Sequence, residues 1–147
     1  MGGVAYKSLY CKHPMERRRK MRVFVVDDNE LARHLLKNFV QAQGLEVCAE
    51  AKNGQEAVEM IQTLQPDVVI LDFMMPVKDG LQAAREILKI RPSVSIVLNT
   101  LYFTEQLRAV AQDIGVRQVI SKSNYQSLRQ ALESLMRDKG SSLTVPN

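Results

Sequence analysis

Three aspartates, one threonine and one lysine stand at the ends of short apolar runs in this chain. "VFVVDDNE" (23–30) leads four apolar residues into Asp27 and Asp28, and "VVILDFMMP" (68–76) leads four more into Asp72. "IVLNTL" (96–101) carries Thr100, and "VISKS" (119–123) carries Lys122. A single aspartate at such a place is a common helix cap; a doubled one asks for more. Clustered carboxylate oxygens suit a hard cation such as Mg2+, which keeps several waters and takes one or two carboxylates directly. Zinc would bring Cys or His with it. Taken singly, each residue has an ordinary reading as a loop residue, cap, turn or solvated strand end. Their joint placement after successive apolar runs is the argument for a site.

The elements that must position them alternate regularly from Met21 onward. "RVFVV" is a short run rich in β-branched residues and predicts a buried strand. Leu31, Leu35, Leu36, Phe39 and Val40 follow at helical spacing, and Gly44 marks the stop. "LEVCAEA" predicts a second strand, and Asn53 caps a helix with Ala57, Ile61 and Leu64 on one face, ended before Pro66. "DVVIL" predicts a third strand, and Asp79 caps a helix with Leu81, Ala84, Ile87 and Leu88. "VSIVL" is the fourth strand, and Thr104 opens a helix with Leu107, Val110, Ala111 and Ile114, stopped by Gly115. "VRQVI" is the fifth strand, and Leu128, Ala131, Leu132, Leu135 and Met136 mark the last helix.

Five strands alternating with five helices give an α/β fold. Strands apolar on both faces give a parallel sheet with helices on each side, in a doubly wound arrangement. The carboxyl ends of parallel strands share one edge, where ligands bind. With neighbouring strands ~4.8 Å apart, Asp27, Asp28 and Asp72 would crowd together if the first and third strands are adjacent. Like charges ~5 Å apart repel by roughly 3 kcal/mol at an effective dielectric of about 20, so the three need a counter-charge.

Composition sets the frame. The 147 residues suffice for one domain with a sizeable core, and the 46% hydrophobic and 24% charged fractions are those of a soluble globule. No apolar run is long enough to span a bilayer, and no secretory h-region is present. Cys11 and Cys48 fit no zinc or CxxC spacing and read as reduced thiols of a cytoplasmic protein. The net charge of +4 is unevenly spread: residues 1–22 hold seven basic side chains against Glu16, a net +6, and the remainder is −2. Residues 1–20 read as a flexible basic arm, unnecessary to the body, with at most weak nucleic-acid affinity through "RRRK". Residues 21–138 read as the domain and 139–147 as a loose tail.

These motifs, in this order and spacing, resemble those of the receiver domains of two-component response regulators, over about residues 21–138. The resemblance implies a flavodoxin-like sheet of order 2-1-3-4-5. It implies that Asp72 is the phosphoacceptor, taking a phosphoryl group from a sensor histidine kinase or phosphotransfer protein. Asp27, Asp28, Asp72 and the backbone carbonyl of Met74 would hold Mg2+. Lys122 would pair with a phosphoryl oxygen, and Thr100 would hydrogen-bond the phosphoryl group and move the loop behind it. A downstream protein would read the change on the face of the fourth helix, fifth strand and fifth helix. The chain would then be a switch rather than an enzyme with a separate substrate. About ten residues follow the last helix, too few for a helix-turn-helix output.

Three positions depart from the common pattern. Leu101 stands where Ala or Gly is usual and is expected to crowd the phosphoryl site; Val119 replaces a frequent Tyr or Phe; Ser123 replaces a frequent Pro. The main competing reading is a phosphorylation-independent interaction domain on the same fold. A flavin mononucleotide binder would need a hydroxyl- and glycine-rich first loop, and "DDNELAR" is acidic. A DxDxT phosphatase would need a second aspartate and a threonine that "DFMMP" lacks.

Overall fold

The computed structural model describes residues 19–143. Its strands are β1 (Arg22–Val26), β2 (Glu46–Ala51), β3 (Val68–Leu71), β4 (Ser95–Thr100) and β5 (Gln118–Ser121). Its helices are α1 (Glu30–Ala42), α2 (Gly54–Ile61), α3 (Gly80–Ile90), α4 (Glu105–Ile114) and α5 (Tyr125–Leu143). The strands form one parallel sheet in the order β2-β1-β3-β4-β5. Val26 pairs with Leu71 and Leu98 with Val119, so the C-terminal ends of β1, β3, β4 and β5 share one edge.

Strand alternation splits the core in two. Phe24, Val26, Val69, Leu71, Ile96 and Leu98 face α2, α3 and α4, where Ala57, Ile61, Ala84, Ile87 and Ala111 meet them. Val23, Val25, Val68, Ile70, Val97 and Ile120 face α1 and α5, meeting Leu36, Val40, Leu128, Leu132 and Leu135. A sheet covered on both sides explains why its central strands are apolar throughout. Full burial of each such side chain contributes about 2 kcal/mol.

Helix starts are fixed by side-chain caps, each worth about 1 kcal/mol. Asn53 accepts from Glu56 N, Thr104 from Leu107 N, and Asp79 forms a capping box with Gln82. Asn29, rather than either neighbouring aspartate, caps α1 by accepting from Ala32 N. This frees Asp27 and Asp28 from the ordinary capping role. Gly44 and Gly115 take the left-handed conformation after α1 and α4.

Several expectations need adjusting. Leu31 and Leu35 are exposed, because they form an i,i+4 stripe rotated one residue, about 100°, from the buried Leu36–Val40 stripe. Val110 is also exposed, and α2 stops at Ile61, short of Leu64, expected on its apolar face. The last helix runs to Leu143, five residues into the stretch expected to be a loose tail; residues 144–147 lie outside the described residues.

The basic arm, too, is not wholly loose. Residues 1–18 lie outside the described residues, but Arg19 donates two hydrogen bonds to Asp67, at 2.8 and 2.9 Å. The backbone N–H of Arg22 donates a third at 2.7 Å, and Asp67 N returns one to Arg22 O. Asp67 thus ties the entry of β1 to the entry of β3, at the sheet edge opposite Asp72. Burial alone would push its carboxyl up, but Arg19 and the Arg22 amide outweigh this and hold it below its ordinary 3.8.

With the folded value lowered, the stabilisation is present above the ordinary value and lost as pH falls through the lowered one. Arg19 is half exposed, so the pair is worth about 1 kcal/mol. Arg19→Ala should lose that amount in urea unfolding at pH 7, and the difference should shrink in acid, as pH falls below the ordinary 3.8 and Asp67 takes up its proton. Equal stability at pH 7 would show that the arm's last residues do not hold the body.

Candidate functional site

The shared edge gathers the residues singled out by sequence. One carboxylate oxygen each from Asp27, Asp28 and Asp72 lies within 4.8 Å of the others. Asp27 and Asp72 are buried and Asp28 is exposed, so the cluster opens to solvent on the Asp28 side. The Lys122 ammonium stands 2.6 Å from Asp27 Oδ2 and 3.2 Å from Asp72 Oδ2. It supplies the counter-charge that three crowded carboxylates require, though for only one of them.

Backbone geometry aims these groups. Asp72 N donates to Val26 O, and Asp27 N donates to Ala51 O, so each carboxylate leaves the sheet from the last rung of a ladder. Asn29 N donates to Asp27 Oδ1 at 2.9 Å. Lys122 N donates to Thr100 O, which ties the lysine to the end of β4. Thr100 is fully buried, and its Oγ1 accepts from Tyr102 N at 3.0 Å, leaving its hydroxyl proton to donate elsewhere. Met74 lies on the loop that follows Asp72, with its side chain exposed.

Two contributors were not foreseen. Arg33 donates to the backbone carbonyl of Asp27 at 2.8 Å while its guanidinium also pairs with Glu50. A basic residue one turn into the helix after an acidic loop was the available signal. Gly80 begins α3 so close to Asp72 that a Cβ there would lie 2.3 Å from Asp72 O; "KDG" held that signal without revealing what it touches. Among the departures, Leu101 is 68% exposed, so its side chain can swing clear of the site it was expected to crowd. Val119 is buried in the core and offers no ring to turn inward.

The electrostatics follow from this packing. Burial pushes the Asp72 carboxyl up to about 6; Lys122 pulls it down, and Asp27 and Asp28 push it up again. Burial disfavours the Lys122 charge, but its bonds to Asp27 and Asp72 outweigh that and hold it above its ordinary value. The site therefore offers a carboxylate nucleophile under negative pressure, a fixed ammonium, a buried hydroxyl and a hard-oxygen ligand set that could hold a metal ion.

A doubly wound parallel sheet with three carboxylates and a lysine gathered at its strand ends defines an α/β domain with a charged ligand site on its C-terminal edge. Residues 23–133, well over half of the chain, match the family model for the response regulator receiver domain. The chain belongs to that family. It is 38% identical over 101 residues to the chemotaxis protein CheY of Thermotoga maritima, covering 69% of this chain and 84% of that one. Among solved structures it is similar to the response regulator TrrA of Thermotoga maritima in complex with Mg2+–BeF. That match has 34% identity and a TM-score of 0.71, over 78% of this chain and 98% of that one. The response regulator domain of Thermotoga maritima CheB gives 29% identity and a TM-score of 0.73, covering 81% and 96%. The protein-glutamate methylesterase of Pyrococcus abyssi is 48% identical over 84 residues, but the match spans only 23% of that relative's length. No helix among the described residues is long and apolar enough to cross a membrane.

The raised Asp72 value carries a sign. Its folded value exceeds the ordinary 3.8, so the folded chain holds the proton more tightly. Stability therefore falls as pH rises from about 4 through about 6. Without divalent cations at pH 8, Asp72→Asn should be more stable than wild type by at most ~3 kcal/mol. The difference should close at pH 4, as read from urea midpoints. A gap that ignores pH would mean that the carboxyl is not under pressure in the folded state.

Proposed function

We propose that this receiver domain is a phosphorylation switch whose acceptor is Asp72. The observation that carries the reading is the buried Asp72 carboxylate set beside Lys122, Asp27 and Asp28. At neutral pH a carboxyl titrating near 6 is mostly ionised and able to attack. An Asp72 oxygen attacks phosphorus in a phosphohistidine of a sensor kinase or phosphotransfer protein. A P–O bond forms, the P–N bond breaks, and the imidazole leaves with the electron pair. The product is an acyl phosphate on Asp72.

The donor set fits a hard dication, since it is all oxygen and includes one solvent-facing carboxylate. Asp27, Asp28, Asp72 and the Met74 backbone carbonyl would hold Mg2+. When bound, Mg2+ would shield the incoming phosphoryl charge from the carboxylates. Lys122, freed from Asp72 once that oxygen is esterified, turns to a phosphoryl oxygen while keeping Asp27. The Thr100 hydroxyl donates to another phosphoryl oxygen, and its bond from Tyr102 N draws the loop after β4 along. The change reaches a partner protein through the face of α4, β5 and α5. The domain promotes its own phosphorylation and hydrolysis and turns over no separate substrate. Such a module works in the cytoplasm, where kinase and nucleotide meet.

Acetyl phosphate with Mg2+ should add ~80 Da, one phosphoryl group, to the wild type and nothing to Asp72→Asn. A modified Asp72→Asn protein would move the acceptor to Asp27 or Asp28. In parallel, Asp28→Ala should keep the fold and lose both Mg2+ binding and the mass gain. Unchanged Mg2+ affinity in that variant would sink the ligand assignment.

A further inference from the structure

The loop between β3 and α3 is closed on itself and seated on another helix. Gly80 N donates to Phe73 O at 2.8 Å, which shuts the loop at its base. At its tip, Lys78 N donates to Pro76 O at 2.8 Å around Val77, whose φ is +72°. That is the classic γ-turn, a rare and strained form, here with a β-branched residue at its centre. Val77 is 81% exposed, so no packing of its own side chain offsets the strain. The conformation is held from outside, by Lys78. Its side chain pairs with Glu86, and its carbonyl lies so close to α2 that a Cβ on Gly54 would stand 2.4 Å from it.

Gly54 has no conformational need to be glycine. It is not in the left-handed region, and it opens a helix in which alanine would be the better residue. Closeness to Lys78 O is what its missing side chain permits. A methyl there must displace either α2 or the loop. Ala57, Val58 and Ile61 bury α2 in the core, whereas Met74, Pro76 and Val77 are exposed, so the loop yields. Val77 already occupies a narrow allowed region and Pro76 has a fixed φ. The displacement therefore passes back to Met75 and Met74.

We propose that Gly54, on a helix that supplies no ligand, is a positioning residue for the phosphoryl-transfer site: by seating Lys78 O it sets where the Met74 carbonyl points. This rests on the reading of Met74 as a metal ligand. Mg2+ titrations followed by amide NMR shifts, with melting curves alongside, test it on the full chain. Gly54→Ala should weaken Mg2+ binding by about tenfold, the usual effect of disturbing a ligand's support. The double variant Gly54→Ala/Val77→Gly should recover most of that affinity, because glycine lets the turn absorb the shift at position 77. Val77→Gly alone should bind Mg2+ like the wild type and melt higher. A purely structural role for Gly54 would lower the melting temperature and leave Mg2+ affinity alone, and that result overturns the proposal. So does a double variant that fails to fold or binds no better than Gly54→Ala. Wild type that binds no Mg2+ overturns the underlying reading and the proposal with it.

Discussion

The ion pair of Lys122 with Asp27 and Asp72 is the interaction around which the functional edge is built. Three carboxylates confined to 4.8 Å would repel one another by several kcal/mol. One partly buried ammonium, that of Lys122, offsets part of this and leaves the rest unrelieved. Asp72 titrates near 6 chiefly because it is buried, with the charges of Asp27 and Asp28 adding to the rise and Lys122 opposing it. The carboxylate cluster is thus incompletely compensated, and its three oxygens could hold a cation.

This concentration of charge is possible because the sheet is parallel and doubly wound. Each strand places one set of side chains into the α2–α3–α4 layer and the other into the α1–α5 layer. The interiors of β1 and β3 carry no polar side chain, whereas β4 holds buried Asn99 and the edge strand β2 holds Glu50. The first polar residue after each of β1 and β3 is an aspartate at the rim, and β4 and β5 contribute Thr100 and Lys122 there. The opposite edge is treated differently. Its one buried carboxylate, Asp67, is fully served by Arg19 and the Arg22 amide and is held below its ordinary value. Two buried aspartates at the two ends of β3 thus titrate in opposite directions. Asp67 has a guanidinium and an amide to itself, whereas Asp72 shares its lysine with Asp27 and has other carboxylates close by.

The loop from Phe73 to Asp79 joins these ideas. It carries an exposed residue in a strained turn, and the strain persists because Gly54 and Gly80 let backbone approach backbone more closely than any Cβ would allow. Rigid elements on either side hold a short loop in a conformation that its own residues do not favour.

The sequence by itself determined the element order, the parallel two-sided sheet, the caps at Asn53, Asp79 and Thr104, and the identity of the clustered residues. These are local or periodic properties: a run of β-branched residues, a 3.6-residue repeat, a cap before a helix. The strand order came only through resemblance, since periodicity does not say which strands are neighbours. Other features belong to the tertiary structure alone. Asn29 rather than an aspartate caps α1, because which oxygen reaches Ala32 N depends on the exact path out of β1. Arg19 left the arm to pair with Asp67, a contact between residues 48 positions apart that no local pattern encodes. Leu31 and Leu35 read as core but lie in solvent, because helical spacing names a stripe and only the sheet decides which stripe it covers. Lys122 is legible as a strand-end site residue, but its reach to Asp27 exists only because the sheet sets β5 three places from β1, with β3 and β4 between them. Sequence specifies which groups a chain owns, whereas the distance between them, and so the sign of each shift in acidity, is set only when the strands are laid side by side.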